Sequence, residues 1–347
     1  MGRNKIDYRL ADPVHINPGE PAMLKTTLRR RALGLAVAAA VFVAAGPALA
    51  QATKLRVSTI PIIDTAPLQV AMAKGFFKDE GLEIDTTPMA GGAAGLPALA
   101  AGQVQIAFSN IISTLLGAKQ GLGFEIVAAG SGTADKAPDF GGLIATKAGG
   151  IKTGKDLEGK RLAVNTRNNI GWMYAREWVR STGGDPDKVT YVEVPFPQMP
   201  DAVRGNRADA AFVMDPFMSA AVEQGDVQVI GWPWSDVQKR VPIAQYVATR
   251  SYIQQNPQVI EKFVRAYNKG VDWTNANKGS DEWLRIISGY TKLPPERIKG
   301  LVLPPFEKTV DPAALDRVVE LMRKNGMIEG AFDAKPLLYK TATQAPR

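Results

Sequence analysis

Two aspartates stand at the ends of apolar runs, Asp64 in "IPIIDTAP" and Asp215 in "VMDPF". Brought face to face, two carboxylates can divide proton-transfer work between an acid and a base. They can equally accept hydrogen bonds from a bound solute. Other polar residues occupy similar run ends. Thr65 follows Asp64, Ser109 and Asn110 close "QVQIAFSN", and Ser131 lies in "FEIVAAGSG". Thr166, Arg167, Asn168 and Asn169 fall in "VNTRNNIG", and Gln198 in "VPFPQMP". The stretch "AGGAAGLPALAAG" adds Gly91, Gly92 and Ala93. Its glycine spacing fits neither G-x-x-x-x-G-K-[ST] nor G-x-G-x-x-G, so no nucleotide-phosphate loop is present there. What it can supply is a helix start whose free N–H groups and dipole favour an anion or a polarised carbonyl.

Each of these residues also has a purely structural use. Ser109, Asn110, Asn168, Asn169 and Asp215 can cap helices. The glycines can serve a tight turn with positive φ, and Arg167 can be solvated. Trp232 and Trp234, flanking Pro233, are expected to pack at a joint rather than to cage a ligand.

Absences narrow the chemistry further. The chain has no cysteine, which excludes disulfides, thiolate catalysis and zinc–sulfur sites, and also the residue that lipid anchoring would acylate. The single histidine, His15, precedes the apolar run "ALGLAVAAAVFVAAG". That run follows Arg29, Arg30 and Arg31 and ends at Ala48–Ala50, a small-x-small site, so residues 1–50 read as a cleaved export signal with Met23 as an alternative start. General secretory and twin-arginine export both remain open. Cleavage would remove the only imidazole, so no metal site or cofactor is expected. It would take seven Lys/Arg and three Asp/Glu from the 42 and 34 of the whole chain, lowering the net charge from +8 to +4. Nothing in that balance suggests nucleic acid as a partner.

The elements that must position these residues alternate. "LRVSTI", "LEIDTTPM", "QVQIAFSN" and "FEIVAAGSG" read as strands separated by helical segments, and the pattern restarts at "RLAVNT" with "VTYVEV", "ADAAFVMD" and "VQVIG". Such alternation predicts α/β architecture with mostly parallel sheets. "GGLIATK" and "AQYVATR" bracket the second series and read as a pair of strands passing between two lobes. Long helical segments follow, with Ile260, Phe263, Val264 and Tyr267 on one face.

"APLQVAMAKGFFKDEGLEI", "AGGAAGLPALAAGQVQIAFSN", "DLEGKRLAVNT" and "GNRADAAFVMDPF" together resemble the solute-binding proteins of ATP-binding-cassette importers, in the branch for nitrate, taurine, alkanesulfonates and thiamine-pyrimidine precursors. The resemblance spans nearly the whole chain after the signal. It implies a type II periplasmic binding protein fold, with two lobes, two hinge strands and a ligand cleft between the lobes. The expected division is 51–143 plus 246–347 for the first lobe and 144–245 for the second. It further implies a monomer in the periplasm that binds a small polar or anionic organic solute, sulfonate- or taurine-like, and delivers it to a permease. An aromatic carboxylate or a thiamine-pyrimidine precursor is the alternative ligand. The glycine turn, Ser109-Asn110, the loop after "AVN" and the Asp-Pro-Phe would be pocket positions. One member of the broad family makes the thiamine pyrimidine at the cost of its own histidine, a role that a chain without histidine after its signal cannot fill. The remaining rival is a carboxylate-dependent enzyme using Asp64 and Asp215.

Overall fold

The computed structural model describes residues 52–343; the export signal expected over residues 1–50, with His15 and Met23, lies outside the described residues. The first strands are β1 (Thr53–Thr59), β2 (Leu82–Pro88), β3 (Ile106–Asn110) and β4 (Phe124–Gly132). Helices α1 (Ala66–Ala73), α2 (Gly92–Ala100) and α3 (Ile111–Lys119) connect them. The chain then forms β5 (Gly141–Thr146), β6 (Arg161–Val164), α4 (Ile170–Ser181), β7 (Thr190–Glu193), β8 (Ala210–Met214), α5 (Phe217–Glu223) and β9 (Val227–Gly231). After α6 (Pro233–Val237) and β10 (Pro242–Thr249) come the long helices α7 (Pro257–Asn277), α8 (Asp281–Thr291) and α9 (Pro312–Lys324).

The strands make two five-stranded sheets, in the orders β2-β1-β3-β10-β4 and β7-β6-β8-β5-β9. In each, three neighbouring strands run parallel and one antiparallel strand is inserted second from the edge. The inserted strands are β10 and β5, the two that arrive from the other sheet. Both therefore belong whole to one sheet: β5 pairs with β8 and β9 along its length, and β10 with β3 and β4. The divisions expected at 143/144 and 245/246 fall inside these strands. The register instead places the passages between sheets at residues 133–140 and 232–241, because a strand committed to ladders on both edges cannot also be the joint.

The central strands β3 and β8 are buried at every position, as strands covered on both faces must be. On one face of the first sheet Tyr246 packs between Phe108, at 5.2 Å, and Tyr267, at 4.6 Å between ring centroids. Helix α7 lies over them. Its buried residues Ile260, Phe263, Val264, Tyr267 and Val271 follow the three-four spacing of one helical face.

Gly270 on that face lets α7 approach α1 closely. A Cβ there would fall 2.3 Å from the Pro67 carbonyl oxygen. In an exposed helix, glycine to alanine gains about 1 kcal/mol from helix propensity. Here overpacking reverses the sign, and Gly270→Ala is expected to destabilise the protein by about 1–3 kcal/mol in urea unfolding. A stabilised variant would show that the two helices can move apart at no cost.

Candidate functional site

In α/β sheets, ligands bind beyond the carboxyl ends of the strands. Here those ends meet. A cleft is lined on one side by Ile60, Ile62 and Asp64 after β1, Gly92 at the start of α2, and Phe108 and Asn110 at the end of β3. On the other side stand Asn165, Asn169, Ile170 and Gly171 between β6 and α4, with Phe196, Phe212 and Met214. Trp234 from the second passage and Ile243 and Ala244 from β10 close its back. Helices α2, α3 and α4 all start at this cleft, each immediately after or close to a strand end.

Asp64 is 1 % exposed. Ser131 Oγ donates to its Oδ2 at 2.6 Å, while Oδ1 is buried with no partner. Burial pushes its carboxyl up to about 7, against the Ser131 hydrogen bond, and the charge of Asp215 adds to the rise. Asp215 is likewise fully buried. The Ser219 N–H donates to its Oδ1 at 2.9 Å, and Oδ2 has no partner. Burial raises its pKa to about 6. The two aspartates are thus brought together, as a pair whose charges oppose one another.

The glycine stretch reads differently in three dimensions. Gly91 has φ −177°, extended backbone open to any residue, and Gly92 begins α2 without a positive φ. The expectation of a left-handed turn does not hold. Gly92 is glycine because a Cβ would lie 2.6 Å from the Asn110 amide nitrogen and 2.8 Å from Ser109 Cα. Backbone packs on backbone there. Gly91 instead faces Asn165 across the cleft, where a Cβ would meet Nδ2 at 2.6 Å.

Other expected residues divide between duties. Asn110 lines the cleft and also caps α3, accepting from Ser113 N–H at 3.0 Å. Asn169 lines it, caps α4 through Trp172 N–H at 3.0 Å, and donates to Asn165 Oδ1 at 2.8 Å. Thr65 is buried and donates to the Ile60 and Ile62 carbonyls, which makes it a brace for the turn. Ser109 is buried behind the lining and Ala93 is half-buried outside it. Thr166 is half-buried near Gly91. Arg167, Asn168 and Gln198 are exposed and do not line the cleft; Arg167 offers its backbone N–H to Glu193 instead. Asn165 and the aromatic residues Phe108, Phe196 and Phe212 line the cleft beyond the residues expected from sequence. Asn165 directly follows β6, so the strand-end rule could have found it. Trp234 packs against Phe140 and Phe212, at 5.0 and 5.1 Å, and lines the cleft as well.

The cleft is shut. It encloses about 40 Å³, room for a few water molecules. A larger space of about 690 Å³ lies behind Ser131, between β4, β10 and residues 307–314. We place the site in the smaller one because strand ends, helix starts and the unpaired Oδ1 of Asp64 converge there; Asp215 lies behind Met214, outside the lining. Away from the cleft the two halves are tied by Glu177 of α4, 4 % exposed, which accepts from Lys324 Nζ at 2.8 Å and Asn325 Nδ2 at 2.7 Å, and from Arg180. Burial works to raise the Glu177 pKa, but these partners outweigh it and hold the group below the ordinary carboxylate range.

The architecture and the cleft define a two-lobed binding protein of the periplasmic type. A family model described as NMT1/THI5 like matches residues 62–279, and the chain belongs to that family. It is 26 % identical over 262 residues to the taurine-binding periplasmic protein of Escherichia coli (strain K12), covering 72 % of this chain and 75 % of that one. To the nitrate/nitrite binding protein NrtA of Nostoc sp. (strain PCC 7120 / SAG 25.82 / UTEX 2576) it is 22 % identical over 285 residues, covering 76 % of this chain and 63 % of the relative. The fold is shared with the alkanesulfonate-binding protein SsuA from Xanthomonas axonopodis pv. citri bound to MOPS, with TM-score 0.70 at 14 % identity over 84 % of this chain and 99 % of that one. Among the described residues, no helix is long and apolar enough to cross a membrane.

The raised Asp64 pKa has a definite sign in folding. The group carries no penalty below its ordinary pKa of 3.8, where folded and unfolded forms are both protonated. As pH rises towards 7 the unfolded chain releases the proton first, and stability falls by on the order of 4 kcal/mol. Asp64→Asn is expected to flatten that decline in urea unfolding measured across the pH range, leaving the smaller slope of Asp215. An unchanged slope would mean that Asp64 is solvated in the native protein.

Proposed function

We propose that this chain is the exported solute-binding component of an ATP-driven importer. It captures a small polar organic solute between its two sheets and presents it to a membrane permease. The observation that carries this reading is the shut cleft itself. Strand ends from both sheets converge on it with the buried, unpartnered Oδ1 of Asp64, yet it is too small to admit an organic molecule without opening. Residues 133–140 and 232–241 are the only passages between the sheets among the described residues, so opening must be absorbed there, as in hinge closure around a ligand. Asp64, Asn110 and Asn169 are the contacts we assign to the solute, with Gly91 and Asn165 meeting only in the closed form. The names of the relatives, binding proteins for taurine, nitrate and alkanesulfonates, support capture and delivery. The protein acts as a monomer in the periplasm after cleavage behind Ala50, and N-terminal sequencing of the exported form should start at Gln51.

Closure is measurable. Small-angle scattering should show a smaller radius of gyration when the true solute is added, and incubation should return that solute chemically unchanged. Turnover of any solute would revive the carboxylate-enzyme reading. Two variants separate the contact across the cleft from the latch away from it. Gly91→Ala puts a methyl group against Asn165 and should weaken solute binding by about tenfold while leaving stability within about 1 kcal/mol of wild type, because φ there suits any residue. Glu177→Gln removes the charge held by Lys324 and should enlarge the solute-free radius of gyration. An unaltered scattering profile for Glu177→Gln would mean that the latch does not hold the shut form.

A further inference from the structure

We propose that the captured solute is a flat, N–H-bearing base held on Asp64, and not an oxyanion such as nitrate or a sulfonate. This rests on the solute-capture reading above and names its ligand class. The first ground is the free acceptor. Asp64 is almost completely buried, its Oδ2 is occupied by Ser131, and its Oδ1 has no partner in the protein. A buried carboxylate oxygen left open is costly unless something else donates to it. The second ground is charge. No lysine or arginine lines the cleft, and Arg167, the basic residue nearest to it in sequence, is exposed and outside the lining. Asp215, outside the lining, is a second buried carboxylate whose field acts on Asp64. The third ground is shape. Phe108, Phe196, Phe212 and Trp234 give the cleft aromatic walls suited to a planar ring.

One feature pulls the other way. The starts of α2, α3 and α4 point partial positive charge at the cleft, roughly half a unit each. Asn110 and Asn169 already occupy a first-turn N–H of α3 and α4, which reduces what remains for an anion. Against this stands the Asp64 carboxylate with no cation in the lining, so an oxyanion could bind beside it only with a proton on one of the two. A base brings its own N–H donors and neutralises the charge.

The two cases have opposite pH signatures. The groups facing Asp64 are Asp215 at the end of β8, Ser131 of β4, Tyr246 of β10, Tyr267 of α7 and Tyr290 of α8. Burial raises all three tyrosines and keeps them neutral, so only the two aspartates titrate near neutrality. A base that needs the carboxylate binds more weakly as pH falls below 7. An oxyanion that needs the carboxylic acid binds more tightly.

Benzamidine and benzoate form a matched planar pair of opposite charge for the test, with nitrate and taurine alongside. By isothermal titration at about pH 8, benzamidine should bind at least about tenfold more tightly than benzoate, and its affinity should fall as pH is lowered through 7. Asp64→Asn should lose about tenfold or more of the benzamidine affinity. The wild-type pH profile decides the matter even if that variant does not fold. Benzoate, nitrate or taurine binding as tightly as benzamidine, or tightening as pH falls, overturns the proposal while leaving solute capture in place. Silence from all four at millimolar concentration also overturns it, and solute capture then stands or falls on the scattering and turnover measurements.

Discussion

The chain must cross between its two sheets twice, and most of the structure follows from how it does so. Each crossing delivers a strand that enters the far sheet antiparallel, second from the edge, with ladders on both sides. Among the described residues, that leaves the crossing segments as the backbone joining the two sheets outside their ladders. The two passages are also bonded to each other. Ser235 N–H donates to Asp139 Oδ2 at 3.0 Å, and Val241 N–H donates to Thr133 Oγ1 at 2.9 Å. A pair of segments cross-linked near both ends is expected to bend as one element in the opening and closing proposed above.

Two buried carboxylates carry contrasting electrostatic roles around that motion. Glu177 is satisfied three ways, by Lys324, Asn325 and Arg180, and its charge is favoured in the folded protein. Asp64 is satisfied on one oxygen only, and its charge is opposed by burial. The first contributes to holding the halves together. The second is a charge that burial opposes, so the folded protein favours its protonated form. Local conflict between burial and charge is enriched at functional sites, and Asp64 shows it at the cleft.

The fold was legible in the sequence because strand and helix periods are local properties. Every strand read from "LRVSTI" to "AQYVATR" is present, and the Ile260–Tyr267 face packs as its spacing requires. The joint was harder to locate. Sequence places "GGLIATK" and "AQYVATR" between two series, but only register shows that both strands are committed to one sheet. The candidate site was legible where a residue ends or soon follows a strand, as Asn110 does at β3 and Asp64 does after β1. It was not legible for Phe108, Phe212 or Phe196, since an apolar residue in or beside a strand says nothing about whether it faces a helix or a cleft. Gly92 shows the same limit from another side. Its necessity comes from Ser109 and Asn110, seventeen and eighteen positions away in the chain, and no local rule for glycine would find them.

The inserted strands have a consequence for how the protein is made. In the first sheet β3 and β4 do not touch one another; β10 lies between them. Residues 53–132 therefore cannot finish their own sheet, and both neighbours of the gap stay as open edges until the chain has run through the whole second half and returned. Late, long-range closure of this kind slows folding, because the entropy of a large loop must be lost before the ladders can form. A polypeptide still emerging end first stays incompletely folded until residue 249 is available. The topology thus keeps the chain threadable until β10 has passed, and locks this sheet only then, with the long C-terminal helices still to follow.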